Sequence, residues 1–200
     1  PPLKKGTHMS SFEMETTTKS RLRDVEVLSQ KNRQPDAEPG AKLSFETSLS
    51  NHELGQIAGH LKGFLFTKNA GGSVAQSGTL DGIEPVSDLH DLSEIGQKCG
   101  WLTWEAEYTG YTLSLIYGLG QGESNIVIDD CTITGLRIKC KQGGTFLARY
   151  SVESSNVSSE QWGRLAKLKG REVDKTLLAP EVYQRDVEDN VEPIDKKRAA

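Results

Sequence analysis

Three cysteines in 200 residues, Cys99, Cys131 and Cys140, form no C-x-x-C pair and have no close pair of histidines beside them. An odd, scattered set of this kind argues against a disulfide framework or a zinc site and predicts reduced thiols in a cytoplasmic protein. No apolar run approaches the roughly 20 residues that cross a bilayer, and no secretory apolar segment is visible, so neither a membrane span nor export is expected. Gly-x-Ser-x-Gly is absent, and no serine or cysteine carries a local nucleophile signature. His52 and His60 lie about two helical turns apart, too far to share one ion, and His90 has no partner at metal spacing. No cofactor or metal is expected, and the chain reads as non-enzymatic.

Features that resemble catalytic motifs have simpler readings. Gly118-Leu119-Gly120-Gln121-Gly122 follows a strand, but a second strand follows it, without a Gly-Lys-Ser/Thr. That is a connection between strands, because a phosphate loop needs a helix N-terminus behind it. Asp129 and Asp130 are adjacent strand residues and point to opposite faces, which defeats joint metal binding. Glu105 and Glu107 share a face but have no evident His or Lys partner for acid–base work.

The segment before Met9 reads as a cloning scar, residues 1–8, and is set aside. Residues 9–40 are polar and end in Gln34-Pro35-Asp36-Ala37-Glu38-Pro39-Gly40; they predict a flexible arm with a short helix near Arg21 to Gln30. Residues 41–180 predict a single α+β domain, and residues 181–200 a charged, loose tail. Within the domain Lys42 to Leu49 reads as a strand. Ser50 with Glu53 fits a capping box, opening a helix on which Leu54, Ile57, Leu61 and Leu65 keep helical spacing. Gly55, Gly59 and Gly63 make a stripe along it, expected to pack closely on the sheet. Residues 69–100 predict a long loop with a helical turn around Leu89 to Ile95. Asn125 to Asp130 is a strand, Ser158 or Ser159 caps a helix through Lys169, and Glu172 to Leu178 is a last strand. The fold class is α+β, a mostly antiparallel sheet with two helices in the order β-α-β-β-β-β-β-α-β.

Two hairpins are predicted between these elements. Leu102 to Tyr108, a turn at Thr109-Gly110, and Tyr111 to Tyr117 would pair Tyr108 with Tyr111 and Trp104 with Leu115, leaving Glu105 and Glu107 on the outer face. The second turns at Gln142-Gly143-Gly144. A three-residue loop pairs Cys140 with Phe146 and Ile138 with Ala148, apolar beside apolar, whereas a two-residue loop would mix the faces. The outer face then carries Arg137, Lys139, Lys141 and Arg149, with Arg137 directly opposite Arg149. Like charges so placed call for an anion, in the fold or in a partner. No aromatic residue is expected among them.

The net charge of −4 conceals segregation: residues 81–130 hold ten acidic side chains and one basic, residues 132–171 eight basic and two acidic. Such asymmetry concerns partners and steering. Arg137, Lys139, Lys141 and Arg149, followed by Arg164, Lys167, Lys169 and Arg171 on or beside a helix, form the candidate nucleic-acid-binding set, with contacts to backbone and not to bases. Glu105 and Glu107 are the candidate protein interface.

The run Gly110-Tyr111-Thr112-Leu113 to Gly118-Leu119-Gly120, then Ser124 to Cys131, resembles uncharacterised proteins of tailed phages and prophages. Gly143-Gly144-Thr145 and Leu165-Ala166-Lys167-Leu168-Lys169 continue the resemblance across roughly residues 42–180. It implies a phage early region, where DNA replication and recombination proteins cluster, and a place in the host cytoplasm; it assigns no functional residue. The element order looks like one domain of a DNA sliding clamp, by topology alone. The expected function is non-enzymatic binding of nucleic acid, or of a nucleic-acid-processing complex, through the basic hairpin face. Two alternatives stay open: an inhibitor or adaptor that meets a host defence or replication protein through the acidic stretch, and a self-assembling virion protein of the tail type. The partner is thus nucleic acid or a host or phage protein, with homo-oligomers possible through complementary faces.

Overall fold

Polar–apolar alternation recurs along nearly every long strand of the chain, and antiparallel pairing closes these strands into a ring. The computed structural model describes residues 11–28, 39–68, 89–117 and 124–180. Nine strands are described: β1 (Met14–Leu28), β2 (Gly40–Ser50), β3 (Phe66–Thr67), β4 (Asp91–Leu92), β5 (Leu102–Trp104), β6 (Tyr108–Leu115), β7 (Ile126–Lys141), β8 (Thr145–Ser154) and β9 (Glu172–Leu178). The main sheet runs β5-β7-β6-β9-β1-β2-β8, and β8 pairs back onto β7. Six strands, β7, β6, β9, β1, β2 and β8, therefore form a closed antiparallel barrel, with β5 extending the β6 side of β7. Closure pairs the sheet edges that an open sheet would leave free.

The inward residues form one core. Leu22, Phe45, Tyr111, Leu113, Ile133, Phe146 and Leu177 are at most 1% exposed, and each such side chain contributes on the order of 1.5–3 kcal/mol when fully buried. The 3₁₀ turn Asn51–Glu53 and the helices α1 (Leu54–Ile57) and α2 (Leu61–Leu65) add Leu54, Ile57 and Leu65 to that core. Helix α3 (Glu94–Lys98) is capped by Ser93, which accepts from the Gly96 amide. Helix α4 (Ser159–Leu168) begins at the predicted place, with a capping box between Ser158 and Gln161, and buries Leu165.

The mostly antiparallel sheet with separate helices fits the α+β class, but the element order differs from the expected one. Residues 14–28, read as part of a flexible arm with a helical turn, are a barrel strand paired with both β2 and β9. Its threonines and valines favour extended backbone. Its inward Ser20 is satisfied by a 2.8 Å hydrogen bond from Thr47 Oγ1, so the strand need not look apolar. The single helix expected after Ser50 is broken at Ala58, whose backbone is extended (φ −157°, ψ 125°). The glycine stripe does not pack on the sheet: a Cβ added at Gly55, Gly59 or Gly63 would meet nothing within 4 Å.

The first predicted hairpin does not form. Thr109 and Gly110 lie inside β6, and Trp104 pairs with Leu136 of β7 instead of Leu115. Gly110 takes a left-handed φ of 79° that bends the strand without reversing it, and the register with β7 shifts there. The expected strand at Asn125 to Asp130 and the first strand of the second hairpin are one long strand, β7. The second hairpin has the predicted register: Cys140 faces Phe146, Ile138 faces Ala148 and Arg137 faces Arg149. Residues 1–8, most of the predicted 69–100 loop and the 181–200 tail lie outside the described residues.

Candidate functional site

Directly paired residues on neighbouring strands face the same side, so the register traces a row across the barrel's outer surface. Thr103 of β5 pairs with Arg137, Arg137 with Arg149, Arg149 with Glu46, Glu46 with Arg21, and Arg21 with Glu172. Three arginines on three strands thus stand in one line with Glu46 among them. Adjacent strands are about 4.8 Å apart, so the line presents cations at closely spaced steps.

Beside the row the surface sinks. β1 carries a bulge in which Arg23 is the extra residue, between the pairs Leu22–Phe45 and Asp24–Ser44. β7 carries another: Thr134 pairs with Ser151 and Arg137 with Arg149, so Gly135 and Leu136 together oppose Tyr150. Gly135 has φ 62°, the left-handed conformation that bulges often take. Between these two bulges, over β2 and β8, lies a depression of about 350 Å³. Arg23, Arg137 and Arg149 line it, with Ser44 and Ser151 also contributing. A second concavity lined by Arg21, Arg23, Glu46, Arg149 and Gly170 adjoins it.

Two anions temper this charge. Glu46 accepts from Arg149 Nε at 2.6 Å and lies 3.8 Å from Arg23. This is the compensating anion that the opposed arginines required, and it is supplied within the fold. Asp24 pairs with Lys169 Nζ at 2.5 Å. That hydrogen bond holds the Asp24 carboxyl below its usual range and raises the Lys169 ammonium above its own, so the two directions agree on a charged pair. Arg21, Arg137, Lys139 and Lys141 have no ion pair among the described residues.

Trp101 corrects the expectation that the basic face lacks an aromatic. Its ring lies under both opposed guanidiniums, 4.4 Å from Arg149 Cζ and 5.6 Å from Arg137 Cζ. An indole face is the best aromatic partner for a cation. The indole remains partly exposed.

The predicted basic set divides in the structure. Arg137 and Arg149 line the depression, and Lys139 and Lys141 continue their strand on the exposed face. Lys169 and Arg171 adjoin β1, where the Gly170 amide donates to Leu22 O and the Leu22 amide to Arg171 O. Lys167 is exposed on α4. Arg164 stands apart: it donates to Ser124 O at 3.1 Å and to Glu160 at 2.6 Å and lies over Tyr117, so its role is packing. Glu105 and Glu107 are exposed in the connection between β5 and β6, not on a hairpin face opposite Ser114 and Thr112. Arg21, Arg23 and Trp101 were missed. The alternation Ser20-Arg21-Leu22-Arg23 was the available signal for the two arginines, and nothing local marks Trp101.

The barrel also encloses a lysine. Lys175, on the inner face of β9, is 0% exposed. Its Nζ lies 2.9 Å from Met14 Sδ and within 5.4 Å of the Phe45 and Tyr150 ring centres. Burial pushes its pKa down to about 7. The two aromatic faces favour the ammonium and work against that shift, but no carboxylate partners it among the described residues.

No family model, no curated protein and no solved structure matches the chain. Among the described residues, no helix is long and apolar enough to cross a membrane.

Proposed function

We propose that the protein binds nucleic acid through its phosphate backbone, without reading bases by hydrogen bonds, and that the row Arg137, Arg149, Arg21 with the adjoining depression is the contact surface. The observation that carries this reading is the convergence of four arginines, Arg21, Arg23, Arg137 and Arg149, from three strands around one concave surface. Among the carboxylates on that surface, Asp24 is paired with Lys169, Glu46 with Arg149 and Arg23, and Glu172 stands opposite Arg21 at the end of the row. Arginine's planar fork suits phosphate oxygens, and cations that meet phosphates release counterions on binding. Lys139 and Lys141 extend the surface along β7, and Lys169 and Arg171 flank it. The resemblance to phage and prophage proteins agrees with such a role. Among the described residues, no acidic side chain between residues 81 and 130 lines either concavity.

The test removes cations that form no ion pair within the fold. Arg137→Gln, Lys139→Gln and Lys141→Gln together delete three charges with no ion pair among the described residues. Affinity for random-sequence DNA and RNA at low salt, measured by filter binding, is expected to fall by at least about tenfold with the thermal midpoint nearly unchanged. Undiminished binding by the triple variant overturns the assignment.

A further inference from the structure

The depression says more than the charge row does. A duplex presents its phosphates on a convex, stiff cylinder, and a flat row of cations is enough to meet it. Here the surface is recessed, and its recess of about 350 Å³ is within the size range of small-ligand sites. The recess exists because two bulges face each other across β2 and β8, at Arg23 and at Gly135. It is lined by the guanidiniums of Arg23, Arg137 and Arg149, by the hydroxyls of Ser44 and Ser151, 3.5 Å apart, and by Asp24, whose charge Lys169 pairs. Donors of both kinds suit a phosphate with its sugar.

Beside the recess stands Trp101, whose ring contacts Arg149 and Arg137 while part of its surface stays in solvent. Cations against an aromatic ring leave a flat, polarised platform next to a phosphate seat. Nucleobases stack on such platforms only when they are unpaired. We infer that the ligand is single-stranded nucleic acid, with a phosphate in the recess between the two bulges and an adjacent base stacked on Trp101. This rests on reading the arginine row as a phosphate-binding surface. Specificity for strandedness then comes from Trp101, and affinity from Arg137, Arg149 and Arg23.

Fluorescence anisotropy with four labelled probes of equal length tests it: oligothymidylate, the same strand made abasic, a blunt duplex and polyglutamate. The wild-type chain is expected to bind oligothymidylate about tenfold or more tighter than the abasic strand and the duplex, with polyglutamate weaker still. Trp101→Leu should bring oligothymidylate down to the abasic level and leave the duplex unchanged, whereas Arg137→Gln should weaken all three nucleic acids. The abasic comparison uses the unaltered protein, so a poorly folded Trp101→Leu variant does not decide the matter. Equal binding of oligothymidylate, abasic strand and duplex overturns the single-strand inference and leaves the phosphate surface standing. No binding of any nucleic acid, or polyglutamate bound as tightly as oligothymidylate, overturns both.

Discussion

Arg137 and Arg149 are direct cross-strand partners on β7 and β8, and one indole, that of Trp101, lies against both guanidiniums. Two like charges so placed would destabilise the hairpin. Here Glu46 binds Arg149 from the neighbouring strand and Trp101 offers both cations an aromatic face. Arg149 is matched, while Arg137 has no ion pair among the described residues.

Glu46→Gln is expected to strengthen nucleic-acid binding several-fold and to weaken the fold by about 1 kcal/mol, since Arg149 loses a charge-assisted hydrogen bond at a partly exposed site. Thermal melts at low and high salt check the second effect, which should shrink as salt screens the opposed arginines. A variant that binds more weakly than wild type would mean that Glu46 serves the ligand directly.

Salt supplies an independent reading. If Arg21, Arg23, Arg137, Arg149, Lys139 and Lys141 each meet a phosphate, the logarithm of affinity for a single strand should fall against the logarithm of salt with a slope of about −4. Each Arg→Gln or Lys→Gln change in this set should reduce the steepness by about 0.7. The Lys167→Gln slope should match wild type, because Lys167 lies outside the row. A salt-independent affinity would remove the phosphate surface from consideration.

The buried lysine predicts an unusual pH profile. Lys175 loses its proton near pH 7 in the folded protein but only near 10.4 when unfolded. Between those values the unfolded chain binds the extra proton, so stability rises with pH, by up to about 1.4 kcal/mol per unit. Burial raises the Cys131 and Cys140 thiols to about 12 and about 11 from an ordinary 9.0, so the unfolded chain ionises first there and stability falls above about pH 9. The rise should therefore appear between pH 7 and 9 in urea denaturation and vanish in Lys175→Met. That variant should also be more stable than wild type at pH 7. A pH 7–9 slope unchanged in Lys175→Met would show that the amine is charged inside the barrel.

Gly135→Ala tests the bulge that shapes the recess. An alanine at φ 62° costs on the order of 1–2 kcal/mol, even though no atom lies within 4 Å of the new methyl. The strand should relieve that strain by straightening, which moves Arg137 relative to Arg149. Oligonucleotide affinity is expected to drop more than stability does, both read on one preparation by anisotropy and urea melts. Wild-type affinity in a destabilised variant would separate the bulge from binding.

Alternation made the faces of most strands legible before their neighbours were known. Tyr108, Tyr111, Leu113 and Leu115 are buried together, as the first hairpin required, yet their partners are on β7 and not on one another. A period of two determines which side faces the core; it carries no information about which strand lies alongside unless a turn enforces it. Gln142-Gly143-Gly144 enforces it, and the Arg137–Arg149 pair followed correctly. Thr109-Gly110 does not. The arginines of β1 were hidden for another reason: a strand whose inward residues include a hydrogen-bonded serine does not look like a core strand. Trp101 approaches the basic face from outside the hairpin, a relationship set by β5 pairing with β7 more than thirty positions away.

The closure of the ring has a kinetic side. Its seam is β1 against β9, where Ser20 meets Val173 and Arg21 meets Glu172. A ribosome that has released β1 must still synthesise about 150 residues before the strand that flanks it exists. Until then β1 can pair only with β2, and the barrel stays open along one side. Contacts so distant in sequence make folding slow and expose an unpaired edge meanwhile. The seam is therefore the last part of the barrel that synthesis completes, whereas the arginines of β7, β8 and β1 lie on strands already made, and only Glu172 joins their row from across it.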